Sequence, residues 1–267
     1  MKRYGVKRIR ERAGTSFHMI TIPLKTETWQ RDVLSKRMEL VRSLQNVMVG
    51  EGMRRYHRML EDDQYLRYRE VVDEVYGHRS YRVIEREKES EAYQAALTDQ
   101  REVLRRYGFT QMSFSDRAIE LSKPYKALLP SRVANYSIGR PVWNSFHDMI
   151  INGTRGGRRR RRGEVYSLSS DGRSGIRLID DAGKALREGI SLTQDVSRGG
   201  RVTPQLYCVY GKTSGDHVLR LPLKIDPSDE YLIGYLRRPL HMVSIHRQVQ
   251  HGHDKYYALL MVEDDPA

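Results

Sequence analysis

The sequence predicts an α+β fold in which a helical domain is inserted into a small β-barrel domain. Three observations predict it. A β-branched and aromatic stretch, Ser16 to Lys25, stands alone near the N-terminus. Residues 26–151 then carry apolar side chains at helical spacings. After Asn152-Gly153, short β-like pieces alternate with glycine-rich turns. A lone strand leaves its backbone groups unpaired, so the early one needs partners among the later ones. The helical domain then falls between the first and second barrel strands.

The elements follow in order. Residues 1–14 are basic, lack periodicity and read as a flexible arm; residues 15–25 hold the first barrel strand, ending near Pro23. Thr26 can cap a helix that continues to about Leu60, with Trp29, Val33, Met38, Val41, Leu44 and Met48 as its inward stripe. A second helix is expected from Asp63 to Tyr76, with Leu66, Val72 and Val75 inward and Gly77 at its end. A third is expected from Ile84 to Tyr107, and a shorter one from Ser115 to Tyr125. Ser131 opens a segment reaching Ile150 that Gly139 and Pro141 should kink or break.

Residues 152–265 form the remainder of the barrel. Expected strands run from Glu164 to Ser169, Ser174 to Ile179, Gln205 to Tyr210, His217 to Ile225, Met242 to Gln250 and Lys255 to Val262. The last two read as a hairpin turning at His251 to Asp254. One helix interrupts them, with Asp226 as cap, Pro227 in the first position and Asp229 three beyond the cap. About six strands and one helix suggest a small barrel.

Composition narrows the function. The 267 residues allow one to three domains, and the formal net charge of +13 favours a polyanionic partner. No apolar run approaches the length of a bilayer span, and no signal-peptide core follows the basic N-terminus. The single cysteine, Cys208, excludes an intrachain disulfide and a cysteine-based zinc site. A cytoplasmic, prokaryotic address fits, with no membrane partner.

Arg158, Arg159, Arg160, Arg161 and Arg162 are the leading site candidates, joined by Arg155. Guanidinium forks suit phosphate oxygens, and the flanking glycines should make the loop mobile. Lys25, Lys212, Lys224, Arg247 and Lys255 lie in or beside expected strands, as does Arg220. Tyr166, Tyr207, Tyr210 and Tyr256 interleave with them, as base-stacking platforms or as packing. In the helical domain Arg54, Arg55 and Arg58, with Arg105 and Arg106, can form a phosphate-contacting face or a salt-bridged solvent face.

Enzyme signals are weak. His251, His253 and Asp254 share a turn near His246 but match no metal-ligand spacing. Asp180-Asp181 and Glu263-Asp264-Asp265 are adjacent acids that point apart in an extended chain. There is no Gly-x-x-x-x-Gly-Lys loop, Gly-x-Ser-x-Gly elbow or His-Glu-x-x-His helix. No catalytic residue, metal or cofactor is expected.

Four segments carry a resemblance: Met19 to Leu24 before a long helix; Ala134 to Phe146 leading into Gly157 to Arg162; Gly163 to Ser169 followed by Ser174 to Arg177; and Leu221 to Ile225, then Glu230 to Leu232, Arg238 to Arg247 and Lys255 to Glu263. In order and spacing the chain resembles the N-terminal half of the transposon-associated TnpB and CRISPR type V RNA-guided nucleases, which serve in antiviral defense and transposition. The resemblance implies a wedge domain, an OB-like barrel split by a helical recognition domain. It also implies guide RNA and target DNA as partners, with sequence read by base pairing and the protein gripping A-form shape. In that family the barrel runs on into a RuvC-like nuclease opening with an aspartate in a Gly-Ile-Asp-like strand. This sequence stops at Asp264-Asp265-Pro266-Ala267, so cleavage would need a RuvC-like domain or subunit elsewhere. The alternative is a stand-alone DNA-binding regulator or adaptor.

Overall fold

The computed structural model describes residues 6–10, 16–77, 81–153, 156–180, 183, 185–186, 207–211, 218–226 and 228–263. Its contacts divide the chain into two compact units, Met1–Leu44, Ala118–Ile138 and Arg160–Ala267 in one, Gln45–Arg117 and Gly139–Arg159 in the other.

The first unit is built on two open sheets. One has five strands in the order β1 (Val6–Arg10), β2 (Ser16–Pro23), β8 (His253–Glu263), β7 (Leu240–Gln250) and β3 (Ser167–Ser170). The other has three, β4 (Gly175–Ile179), β5 (Tyr207–Gly211) and β6 (Leu219–Pro222). Each neighbouring pair is antiparallel. The expected closed barrel is therefore not formed among the described residues. Apolar alternation identified strands, but closure requires continuous ladders, and among the described residues the β-bridging between the two sheets is limited to an isolated pair, Leu24 and Leu223. The wedge and CRISPR assignments that leaned on the barrel fall with it.

The early strand does find its partner at the far end of the chain: β2 pairs β8, with Ile20 opposite Leu260. Its other neighbour, β1, lies within the stretch read as an arm. Strand β8 shows why these residues form a sheet. Tyr256, Ala258, Leu260 and Val262 are buried, and they alternate with the less buried Lys255, Tyr257, Leu259 and Met261. Helix α1 (Thr28–Leu60) lends its first turns to this unit. Leu34, Met38 and Val41 are buried, Gln30 donates to the Arg220 carbonyl at 3.1 Å, and the Tyr256 hydroxyl donates to the Arg31 carbonyl at 3.3 Å.

The second unit packs the rest of α1 with α2 (Asp63–Gly77), α3 (Tyr81–Lys88), α4 (Glu91–Arg106), the first part of α5 (Gln111–Ser122) and α7 (Arg140–Asn152). Its centre is an aromatic cluster in which Phe146 lies 5.5 Å from both Phe109 and Phe114, ring centre to ring centre. The Phe146 ring sits over Gly52 of α1, where any side chain would collide with it. The long third helix is in fact two. Ser90 breaks it by capping α4, its hydroxyl accepting the Tyr93 N–H at 3.2 Å. In α2, Leu66 faces solvent and Tyr65 is buried in its place.

The chain passes from the first unit to the second through α6 (Ser131–Ala134) and a π-helical turn, Asn135–Gly139, into α7. This is the expected break: Pro141 has no N–H to continue the α-helical ladder. In the first unit α8 (Glu230–Leu236) is capped by Asp229, which accepts the Leu232 N–H at 2.9 Å. The expected cap, Asp226, instead closes a turn with Ser228, and Pro227 lies outside the described residues. Among the described residues no helix is long and apolar enough to cross a membrane.

A candidate nucleic-acid interface

The boundary between the two units falls inside the arginine run, so Arg160 to Arg162 belong to the first and Arg158 and Arg159 to the second. All five side chains are exposed.

In the first unit the loop backbone is tied down. The Glu39 carboxylate on α1 accepts the Gly163 N–H at 3.0 Å and pairs with Arg42 at 2.7 Å. Arg42 also donates to the Arg160 carbonyl at 3.4 Å. Glu164 accepts the Arg161 N–H at 2.6 Å, while its own N–H donates to the Arg161 carbonyl at 3.1 Å. From β7, Arg247 donates to the Gly163 carbonyl at 3.1 Å and to the Ser35 hydroxyl at 3.4 Å. Partial burial pushes the Glu39 carboxyl upward, but the Arg42 hydrogen bond, the Gly163 N–H and the charges of Arg42 and Arg162 outweigh it. Glu39 therefore lies below the usual carboxylate range.

In the second unit the glycines before the run do not loosen it. A side chain on Gly156 would strike the Ser145 carbonyl, and one on Gly157 would come within 2.5 Å of the Met53 sulfur. Gly157 also needs its positive φ of 66°, and its N–H donates to the Ser145 hydroxyl at 3.0 Å. Gly156 and Gly157 thus form a close-packed turn before the run. Beyond it the Arg159 guanidinium lies 3.3 Å from where a Gly50 Cβ would stand, and that of Arg54 lies 3.9 Å from the same point. Two cations thus converge on bare helix backbone, with the exposed Arg58 one turn further along α1.

The other candidates divide by role. Lys25 and Lys224 are exposed and flank the Leu24–Leu223 bridge, where their N–H groups donate to the Pro222 and Pro23 carbonyls, each at 2.8 Å. Lys255 is exposed opposite Gln248. Arg247 is only 12% exposed at its side chain and faces Asp254 at 3.8 Å, so it holds the loop rather than presenting charge. Arg55 donates to the carbonyls of Gly108 at 3.1 Å and Tyr107 at 3.4 Å and lies over the Phe109 and Phe114 rings. Burial lowers its pKa, against the pull of Glu51. Arg155 and Lys212 lie outside the described residues.

Of the four tyrosines, Tyr210 and Tyr256 are core residues. Tyr207 lies under the Arg220 guanidinium at 4.8 Å. Tyr166 is 55% exposed and meets His246 edge-on. Burial lowers the His246 pKa. Among the described residues no group of three His, Cys, Asp or Glu side chains could hold a metal ion.

Sequence reasoning missed Glu39, whose partner is 124 residues away. It also placed Trp29 in the core, whereas the indole is 53% exposed. Near a helix terminus a periodic stripe does not tell which face the neighbouring chain covers. No protein-family model matches the chain, and comparison with curated proteins finds no match.

Proposed function

We propose that this chain is a cytoplasmic RNA-binding protein that grips phosphates, as the non-catalytic part of an RNA-guided DNA-targeting assembly. The observation that carries the reading is the fixed arginine loop. Arg160, Arg161 and Arg162 are exposed on a backbone held at Gly163 by Glu39 and Arg247, so the backbone part of the ordering cost is met before any ligand arrives. The net charge of +13 adds long-range attraction. A guide RNA would supply sequence specificity by pairing, leaving the protein to contact backbone and A-form shape. Strand cleavage would come from a RuvC-like partner.

The test is fluorescence anisotropy with structured RNA, an RNA–DNA heteroduplex and duplex DNA, across a salt series. The expected result is tighter binding to RNA-containing ligands, weakening linearly in log–log form. Replacing Arg160, Arg161 and Arg162 with alanine should make that slope shallower by roughly two to three. Absence of salt-dependent RNA binding would overturn the reading. Tight binding to duplex DNA alone would replace it with a DNA-binding regulator.

A further inference from the structure

The first turns of α1 present a face that the core does not use. Trp29 and Lys36 stand on it, and across from them are Tyr125, Leu128 and, on β6, Leu219. They line a cavity of about 350 Å³ whose walls are almost wholly apolar. The cavity opens to solvent, since Trp29 is 53% exposed, Tyr125 41% and Leu128 37%. All of these residues belong to the first unit.

The chemistry of the walls selects a class of ligand. The indole N–H of Trp29 already donates to Glu27 at 2.5 Å, which fixes the ring plane and leaves its face as the part to be covered. Tyr125 offers a second exposed ring at the mouth. Lys36 is exposed at the cavity wall, and Lys123 and Lys126, also exposed, lie two residues before and one after Tyr125 in sequence. Arg37 also lines the cavity, and its guanidinium lies 4.2 Å over the Tyr210 ring. A flat aromatic ligand carried on an anionic chain satisfies both features. An apolar protein segment would satisfy the walls but bring no charge to match the lysines.

We infer that this cavity receives an unpaired nucleobase of bound RNA, stacked on Trp29 at the mouth, with Lys36 and the Tyr125-flanking lysines meeting the adjoining phosphates. The volume admits a base, and the open side lets its polar edges keep water. Stacking on an aromatic face tolerates any base, so the cavity would recognise single-stranded character rather than sequence. The inference rests on the RNA-binding reading and adds a site to it.

The chain has two tryptophans, Trp29 and Trp143, so Trp143→Phe makes the emission report on Trp29 alone. That variant is titrated with 5′-labelled eight-nucleotide oligo(U) and oligo(A) RNA, following label anisotropy and tryptophan emission together. Emission should be quenched in step with binding. Trp29→Ala should weaken binding about 5- to 150-fold, and Trp29→Phe should retain most of it. If Trp143→Phe does not fold, the difference between wild type and Trp29→Phe gives the same readout. Unchanged Trp29 emission at saturating anisotropy overturns the base site and leaves RNA binding standing. No anisotropy change with any RNA removes both. Emission that shifts with protein concentration and not with RNA would assign the cavity to a second copy of the chain and also overturn the inference.

Discussion

The Glu39 carboxylate accepts the backbone N–H of Gly163 at 3.0 Å and so joins the third turn of α1 to the end of the arginine loop. Its other oxygen is engaged by Arg42 at 2.7 Å, which keeps the anion oriented. Glu39→Ala should therefore speed amide exchange at Gly163 and weaken RNA binding several-fold. It should cost about 1 kcal/mol in a urea melt at pH 7, since charged hydrogen bonds are strong but this one is screened by solvent. Glu39→Gln, which keeps an acceptor, should lose less. The sign with pH follows from the depressed carboxyl. The contribution is complete above the ordinary carboxylate range and disappears as pH falls through the lower folded-state value. Wild type and Glu39→Ala should converge in stability at that acid end.

Adjacent arginines on α1 should separate stability from binding. Arg55 satisfies carbonyls at the end of α4 and lies over two phenylalanine rings, so Arg55→Ala should cost about 2 kcal/mol. Its effect on the salt dependence of RNA affinity should be negligible. Arg54 is exposed beside Arg159 over Gly50, so Arg54→Ala should leave stability within about 0.5 kcal/mol. It should instead make the log–log salt slope shallower by about one. Denaturant melts and anisotropy on the two variants check both halves. Equal effects on the slope would show that Arg55 also reaches phosphate.

What could be read in the sequence was local and periodic. The β7–β8 hairpin, the helix from Thr28, and the break at Pro141 each announce themselves within a few residues, through alternation, spacing or a missing N–H. Pairing between distant segments was legible only as a need: β2 had to find a partner, and β8 supplied it, but nothing local said that the sheets would stay open. Charge was legible and its use was not. Arg54, Arg55 and Arg247 look alike in sequence, yet Arg55 and Arg247 hold carbonyls while Arg54 is exposed. The glycines before the arginine run carry the same lesson, because only packing distinguishes a flexible glycine from one that lacks room for a Cβ. Ser90 is a cap that charged, helix-favouring residues on both sides conceal in the sequence.

Gly52 and Gly234 differ in the room they leave for a side chain. At Gly52 an added Cβ would run into the fully buried Phe146 ring, which is itself wedged against Phe109 and Phe114. Gly52→Ala should destabilise by about 1–3 kcal/mol through overpacking. At Gly234, inside α8, a Cβ meets nothing within 4 Å, and the backbone is not in the left-handed region. Gly234→Ala should stabilise by about 0.5–1 kcal/mol through helix propensity alone. Thermal or urea unfolding of the two variants should move in opposite directions.

Cys208 gives a test of the three-stranded sheet. It lies on the central strand, β5, opposite Leu178 on one side and Leu221 on the other, and is fully buried. Burial pushes its thiol up to about 12. A protonated thiol without solvent access is a poor nucleophile, so the native chain should not react with Ellman's reagent at pH 8. In denaturant it should release one equivalent per chain, because Cys208 is the sole cysteine. The folded-state value lies above the unfolded one, so the linked stability is complete below the ordinary thiol range and is lost as pH rises through it toward 12. Urea midpoints should accordingly decline between pH 8 and pH 10 more in wild type than in Cys208→Ala, whatever the offset between them at pH 7. Rapid labelling of the native protein would mean that β5 is open to solvent and that the sheet does not cover its central strand.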